Sequence, residues 1–235
     1  MKNTDLNAAK EVAKLLLYLD IKKTKIDFIL DHPFIYNRYS VINNKNLDIV
    51  DVLASRDNLN KAREVYEDLI DKADHISYIL MLINKPYRSV FFKMANKYMS
   101  VKDYAELLEC VWTDSENPNQ DVNVSITEWI SYFKKADKKI LMSVKDYEKY
   151  DRLKENKSII IYRGVGKKRE PYGLSWTDEL SVADWFANRW GNDEAYILKM
   201  ECDTKNILAY FNTRGEKEIV VNMNNIDKNK IERIE

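Results

Sequence analysis

The segment at residues 214–221 reads Arg-Gly-Glu-Lys-Glu-Ile-Val-Val, in which two carboxylates lead directly into a run of β-branched residues. The apolar run predicts a strand that starts at Glu218, and side chains alternate in direction along a strand. We therefore expect Glu216 and Glu218 to point to one side and Lys217 to the other. Gly215 predicts a turn or bulge just before the strand. Two like charges held this close are costly unless a cation or a substrate lies between them, whereas a solvated strand end would carry them as ordinary surface charges.

The strand character of this segment extends over the last third of the chain. Runs rich in Ile, Val and Tyr that are bounded by turn-forming residues predict strands. The predicted strands cover residues 158–163, 194–201, 206–211, 218–222 and 231–234, and one helix is predicted at 180–190.

The earlier part of the chain carries helical periodicity instead. Helices are predicted at residues 5–19, 24–31, 46–54, 60–83, 90–99, 101–112 and 125–135, with a further one starting at Ser143. His32-Pro33 predicts a break between two of them, and the polar segment 114–121 (DSENPNQD) predicts a loop.

These patterns predict an α+β fold with a boundary near Glu155. A helical region at 1–155 would precede a small mixed β domain at 156–235. The β domain is small for independent stability, so we expect it to pack against helices. The helical region would either support the fold or bind a target.

The numbers of charged residues, cysteines and histidines bear on two possible functions, nucleic-acid binding and metal binding. The chain has 38 basic and 38 acidic side chains, and the two kinds are equal in number both before and after residue 156. This balance argues against a general nucleic-acid surface, although a local basic patch stays possible. No zinc-ligand spacing occurs among the cysteines and histidines, so no metal is expected; these residues are Cys110, Cys202, His32 and His75.

The N-terminal apolar run Leu15–Leu19 follows Asp5 and Glu11 and precedes no small-residue cleavage site. It predicts an amphipathic helix rather than a signal peptide. No apolar run is long enough to span a bilayer, so we expect no membrane partner. A cytoplasmic protein, in the producing or infected cell, is the simplest expectation.

The first chemically distinctive piece of the β part is Tyr162-Arg163-Gly164, where an arginine ends an apolar strand and a glycine follows. The planar guanidinium suits phosphate or carboxylate recognition. From a strand end beside a flexible loop it could reach a ligand in a cleft. The alternative is a structural arginine paired with an acid elsewhere in the fold.

The second piece is Gly173-Leu174-Ser175-Trp176-Thr177. Ser175 and Thr177 share one strand face, where short hydroxyls can hold a carboxylate, and Trp176 lies opposite. We expect the Trp176 side chain to face outward. The alternative is an edge strand whose Thr177 or Asp178 caps the next helix. In that helix, Ala183, Phe186 and Ala187 form the expected inward stripe.

Together with Glu216-x-Glu218, these pieces resemble the Arg–Ser–Glu class of mono-ADP-ribosyltransferases, including its small bacterial and bacteriophage enzymes. That family has an aromatic-Arg pair on its first strand, then a Ser-x-Ser/Thr strand leading into an Ala-x-x-Phe-Ala helix, then Glu-x-Glu ahead of a hydrophobic strand. The matching segments here are Tyr162-Arg163, Ser175-Trp176-Thr177, Ala183-Asp184-Trp185-Phe186-Ala187 and Glu216-Lys217-Glu218. The resemblance covers residues 158–222 and implies a split-sheet ADP-ribosyltransferase-like catalytic domain at 156–235.

The resemblance implies NAD as co-substrate, with nicotinamide released and no metal needed. Arg163 would bind the NAD diphosphate or the nicotinamide-side ribose. Ser175, helped by Thr177, would orient the catalytic Glu218, whose carboxylate would stabilise an oxocarbenium-like transition state. Glu216 would lie nearer the acceptor, where Glu-x-Glu members of the family modify arginine.

The resemblance also implies secondary contacts with NAD and with a protein target. Tyr162, Gly164 and Phe186 would line the NAD site. Arg169 is the best candidate of a basic loop to lie over the phosphates; its other members are Lys167 and Lys168, and a solvated basic loop is the alternative. Phe211 and Arg214 would be exposed for target recognition, although Phe211 could simply close the strand's core end.

Two rival interpretations stay open beside a protein-arginine transferase. The same fold could pass ADP-ribose to water, a nucleotide or a nucleic acid, although the neutral charge balance makes nucleic acid the weaker expectation. A helical interaction protein could instead carry an idle transferase domain. Because similar enzymes occur in bacteriophages, the biological hypothesis is a phage effector that modifies host or defence proteins.

Overall fold

The computed structural model describes residues 3–43, 45–189, 191, 194–212 and 215–234. The chain divides into two compact units, Met1–Ser115 and Glu116–Glu235. Both contain helices and strands, which confirms the α+β class. Across these residues no helix combines the length and the apolar character that a bilayer span requires.

The first unit is built from helices around an apolar core, with short strands inserted after its first helix. Asp5 caps that helix by accepting a hydrogen bond from the Ala8 amide at 3.0 Å. The elements are α1 (Leu6–Leu17), β1 (Lys22–Lys23), β2 (Leu30–Asp31), β3 (Tyr39–Asn43), β4 (Asp48–Asp51), α2 (Arg56–Lys72), α3 (Ile76–Leu82), α4 (Arg88–Ala95) and α5 (Val101–Asp114).

The helices predicted at 24–31 and 46–54 are wrong, because these segments lie in or beside the antiparallel pairs β1–β2 and β3–β4. A long-range ion pair holds the second hairpin: Arg38 Nη2 lies 2.8 Å from Asp51 Oδ2. The Val52 amide also donates to the Arg38 carbonyl at 2.9 Å. The periodicity of a short segment does not reveal which residues pair with it in the fold. A short apolar run is therefore compatible with a helix and with a strand.

His32 lies in the core of the first unit with only 1% of its surface exposed. Its Nδ1 accepts hydrogen bonds from the amides of Phe34 at 3.1 Å and Ile35 at 3.0 Å, so the ring proton resides on Nε2, which lies 3.2 Å from the Leu19 carbonyl. Burial lowers the pKa of His32 from 6.5 to about 4. The neutral ring is therefore part of the fold.

The second unit contains a six-stranded sheet with helices before it and one helix within it. The predicted boundary near Glu155 differs from the observed division, because the helices between residues 126 and 154 belong to the same unit as the sheet. The elements are α6 (Ile126–Lys135), α7 (Lys138–Leu141), α8 (Val144–Lys154), β5 (Ser158–Val165), β6 (Ser175–Thr177), α9 (Leu180–Asn188), β7 (Tyr196–Asp203), β8 (Ile207–Phe211), β9 (Glu218–Val221) and β10 (Glu232–Ile234).

The strand order of this sheet is β10-β7-β5-β6-β9-β8, and all neighbours are antiparallel. β5 pairs with β7 along its whole length but with β6 at one position, Tyr162 opposite Thr177. β6 then pairs with β9, which places Thr177 opposite Glu218 and Ser175 opposite Val220. The sheet is thus joined at its middle by a very short ladder.

Helix α9 packs closely on β5 because Gly164 has no side chain. A Cβ at this position would lie 2.0 Å from the Ala183 carbonyl oxygen and 2.5 Å from the Ala187 amide nitrogen. Both alanines are buried, as the inward stripe predicted, and Tyr162 and Ile197 pack against them. Small residues on both elements set the distance between helix and sheet.

We predict that Gly164→Ala destabilises the protein by about 2–3 kcal/mol, because the added methyl group would overlap the backbone of α9. Urea unfolding measures the loss. Gly166→Ala is the matched control, since its Cβ would approach the Ala187 carbonyl oxygen no closer than 3.4 Å. Equal stability of the two variants would contradict the packing described here.

We also predict an acid-sensitive contribution from His32. Its folded pKa of about 4 lies below the ordinary value of 6.5, so the unfolded chain binds the extra proton between these values. The corresponding stability is present above pH 6.5 and is lost as the pH falls towards 4. The effect is about 1.4 kcal/mol per unit of pKa difference.

His32→Asn keeps a hydrogen-bond acceptor for the two amides but cannot titrate. The fall in unfolding free energy between pH 7 and pH 4.5 should therefore be about 2 kcal/mol smaller in this variant than in the wild type. His75→Asn, at an exposed histidine, is the control. An unchanged pH dependence in His32→Asn would refute the prediction.

Candidate functional site

Three neighbouring strands, β5, β6 and β9, carry the three motifs singled out in the sequence. Arg163 lies on β5, Ser175 begins β6 and Glu218 begins β9. Of the acidic groups around it, the Glu218 carboxylate has the largest effect on the Arg163 guanidinium. The sheet therefore brings these three residues together, although they are far apart in the chain.

The hydroxyl side chains of β6 lie on the same side of the sheet as the Glu218 side chain on β9. Thr177 is paired with Glu218, and Ser175 lies two residues along the same strand, so the three side chains share one side of the sheet. Ser175 and Glu218 are both half-buried. The Thr177 hydroxyl accepts the Glu179 amide at 3.3 Å, but the N-cap of α9 is Glu179, so the alternative that Thr177 or Asp178 caps this helix is wrong.

The expectation that Trp176 faces outward is wrong. Its side chain is buried with 2% of its surface exposed, and its indole nitrogen donates to the Gly173 carbonyl at 2.9 Å. Its cross-strand neighbour Ile219 is also fully buried. The second face of β6 and β9 is therefore core, and a bulky middle residue in this motif fills that core.

The Arg163 guanidinium is bound by backbone rather than by a partner acid. Nε donates to the Pro171 carbonyl at 3.1 Å, Nη1 to the Ser175 carbonyl at 2.6 Å and Nη2 to the Glu170 carbonyl at 2.8 Å. Burial lowers the pKa of Arg163 to about 10, and the charge of Glu218 opposes this shift. The side chain remains positive at neutral pH and holds the loop between β5 and β6.

The Glu-x-Glu segment departs from the predicted alternation. Lys217 has a φ of 47° and Gly215 a φ of 73°, both in the left-handed region. The strand starts only at Glu218, so Glu216 is a loop residue and the strand rule does not fix its side. The turn predicted at Gly215 is confirmed. Lys217 forms an ion pair with Glu179, at the start of α9.

Two further arginines lie near these acids. Burial lowers the pKa of Arg189, the charge of Arg169 lowers it further, and Glu216 opposes both effects. Arg169 lowers the pKa of Arg163 as well. The Arg189 guanidinium also lies 5.0 Å from the ring centre of the half-buried Phe186. The repulsion between like-charged guanidinium groups is reduced when an anion lies between them.

The sequence motifs did not indicate Arg189 or Asn119. Arg189 comes three residues, about one helical turn, after Phe186, so the spacing of α9 could have revealed it. Asn119 comes from the polar loop at 114–121, and its carboxamide oxygen accepts the Leu174 amide at 2.6 Å. Nothing in a loop composition distinguishes this asparagine from its neighbours.

The structure gives different surroundings to several other predicted residues. Gly164 and Tyr162 contact α9, so their packing explains these residue types without a ligand. The expected exposure of Phe211 is wrong, because it is 3% exposed and lies 6.2 Å from the ring of Phe133. Arg214 lies outside the described residues.

The basic loop between β5 and β6 is held by contacts along its length. Lys167 lies 3.8 Å from Glu194, and the Lys168 carbonyl accepts a hydrogen bond from Gln120 at 3.1 Å. The Arg169 guanidinium donates to the Glu116 carbonyl at 3.2 Å. This loop is therefore attached to the segment that precedes α6.

Among the described residues, no group of three or more His, Cys, Asp or Glu side chains is arranged to hold a metal ion. The chain matches no protein-family model, no curated protein and no solved structure in the comparisons made. Function is therefore inferred from the geometry of this site and from the resemblance of its motifs.

We predict that Arg163→Lys destabilises the second unit by on the order of 2 kcal/mol. A lysine ammonium cannot span three separate carbonyl groups, and each buried acceptor left unpaired is costly. Hydrogen exchange should also become faster in residues 166–174, which Arg163 holds in place. Arg152→Lys, at an exposed position on α8, is the control. Unchanged exchange in this loop would show that the three hydrogen bonds contribute nothing.

Proposed function

We propose that the chain is an NAD-dependent mono-ADP-ribosyltransferase that transfers ADP-ribose to an arginine side chain of a protein and releases nicotinamide. One observation carries the proposal: β5, β6 and β9 are adjacent, which brings Arg163, Ser175 and Glu218 together. The single pair between β5 and β6 further supports a split sheet of the kind that the family resemblance implies.

The proposed reaction breaks the bond between the ribose C1′ of NAD and the nicotinamide nitrogen. The bonding electrons leave with nicotinamide, and positive charge develops on the ribose. The Glu218 carboxylate stabilises this charge from a fixed, half-buried position. A nitrogen of the acceptor guanidinium then bonds to C1′ and loses a proton, which the Glu216 carboxylate accepts.

The NAD diphosphate finds its counter-charges in Arg169 and Arg189. These guanidinium groups lie close enough that one lowers the pKa of the other. An anion between them would remove this repulsion. Arg163 contributes positive charge near Glu218, but three of its N–H groups donate to backbone carbonyls. In the proposal, Arg163 therefore shapes the site and also attracts NAD.

An arginine acceptor is supported by the position of Glu216. Its carboxylate raises the pKa of Arg189, so it already acts on a guanidinium at the site. The residue lies on a loop and is half-buried, where a side chain from a second protein can approach it. The guanidinium of a target arginine would interact with the Glu216 carboxylate as the guanidinium of Arg189 does.

We predict that Glu218→Gln lowers nicotinamide release about 100- to 1,000-fold, because the carboxylate charge is lost while the size of the side chain is kept. The measurement uses purified protein, labelled NAD and a cell lysate, with mass spectrometry to locate the label. Wild-type protein should label arginine in one or a few proteins. Glu201→Gln, at an exposed position on β7, should retain full activity.

Glu216→Gln separates transfer from cleavage. The proposal expects this variant to release nicotinamide and to lose protein labelling. Nicotinamide release by the wild type without any labelled protein would assign water or a nucleotide as the acceptor. The proposal fails if the wild type releases no nicotinamide in any lysate, including one from the natural host.

A further inference from the structure

The polar loop at 116–121 lies against the segment that leads into β6. Three of its residues contact this segment: Gln120 donates to the Lys168 carbonyl, the Glu116 carbonyl accepts from Arg169, and Asn119 contacts Leu174 and Ser175. All of these residues belong to the second unit. The loop is thus part of the surroundings of the site, although it precedes the catalytic motifs by more than one helix.

The Asn119 carboxamide has one orientation that satisfies its neighbours. Its Oδ1 accepts the Leu174 amide at 2.6 Å, and an amide N–H can only donate. The other end, Nδ2, is then fixed and lies 3.5 Å from Ser175 Oγ. Asn119 therefore presents a donor, and no acceptor, to the Ser175 hydroxyl.

Close packing holds the carboxamide in this place. A Cβ at Gly173 would lie 2.6 Å from Asn119 Cγ and 2.7 Å from Arg163 Nη2. Only a glycine lets both side chains approach the backbone here. The Asn119 carboxamide and the Arg163 guanidinium thus hold the entrance to β6 from two directions.

We infer that Asn119 is a positioning residue for Ser175: it directs the Ser175 hydroxyl proton towards Glu218. This assignment rests on the function proposed above. A serine hydroxyl has one proton to donate and two lone pairs that accept. When a lone pair faces the Asn119 donor, the proton is left for the carboxylate that shares the strand face.

Asn119→Asp tests the polarity of this contact. The substituted side chain keeps an acceptor for the Leu174 amide but removes the donor to Ser175. The serine proton would then turn to the introduced carboxylate and away from Glu218. The inference expects kcat for nicotinamide release to fall about 10- to 100-fold, while the KM for NAD changes less than about threefold.

A double-mutant cycle with Ser175→Ala distinguishes positioning from general support of the fold. If Asn119 acts through the serine hydroxyl, Asn119→Asp causes no further loss of kcat in the Ser175→Ala background. A merely structural role would give additive losses. Asn117→Ala is the matched control, because the Asn117 carboxamide contacts Gln120 in the same loop and should leave kcat unchanged.

The outcomes separate this inference from the function itself. No turnover by the wild type would overturn the proposed function. Turnover by the wild type with equal kcat in Asn119→Asp and Asn117→Ala would overturn the role of Asn119 alone, and so would additive losses in the cycle. If Asn119→Asp fails to fold, the same cycle is run with Asn119→Ala, which adds no charge; unfolding of both variants would make the residue purely structural and would refute the inference.

Discussion

The junction between β5 and β6 depends on the hydrogen bonds of one buried guanidinium, that of Arg163. β5 and β6 pair only through Tyr162 and Thr177, so the backbone ladder supplies little cohesion between them. Arg163 replaces it by donating to the Ser175 carbonyl on β6 and to two carbonyls of the loop that joins the strands. Because a charged donor to buried carbonyls is stronger than a neutral one, a single side chain can hold this junction.

The same junction lies beside the side chains of the proposed site. One face of β6 and β9 is sealed by buried residues such as Trp176, so the hydroxyls and the Glu218 carboxylate are confined to the other face. Arg163 keeps its positive charge at neutral pH, because the charge of the Glu218 carboxylate opposes the lowering of its pKa by burial. In the proposed reaction, the Glu218 carboxylate stabilises the developing ribose cation from this half-buried position.

The sequence predicted those features that depend on local patterns. The strands of the second unit follow β-branched runs, and the capping box at Ser125 starts α6 as expected, with the Glu128 side chain accepting the Ser125 amide at 2.8 Å. The carboxamide of Asn119 contacts Leu174, 55 residues further along the chain, and the hairpin at 39–51 depends on the pairing of Arg38 with Asp51. Periodicity contains no information about either contact. The helical pattern ends near residue 155, whereas the chain divides after Ser115, because packing groups the helices at 126–154 with the sheet.

The proposed function requires the nicotinamide ribose of NAD to bind beside Glu218, in the site that Arg163 and Ser175 help to form. The most direct test is a crystal structure of the full chain with a non-hydrolysable NAD analogue. The account predicts the ribose C1′ within about 4 Å of the Glu218 carboxylate and the diphosphate beside Arg169 and Arg189. An analogue bound elsewhere on the chain, or no binding at millimolar concentration with the site intact, would contradict it.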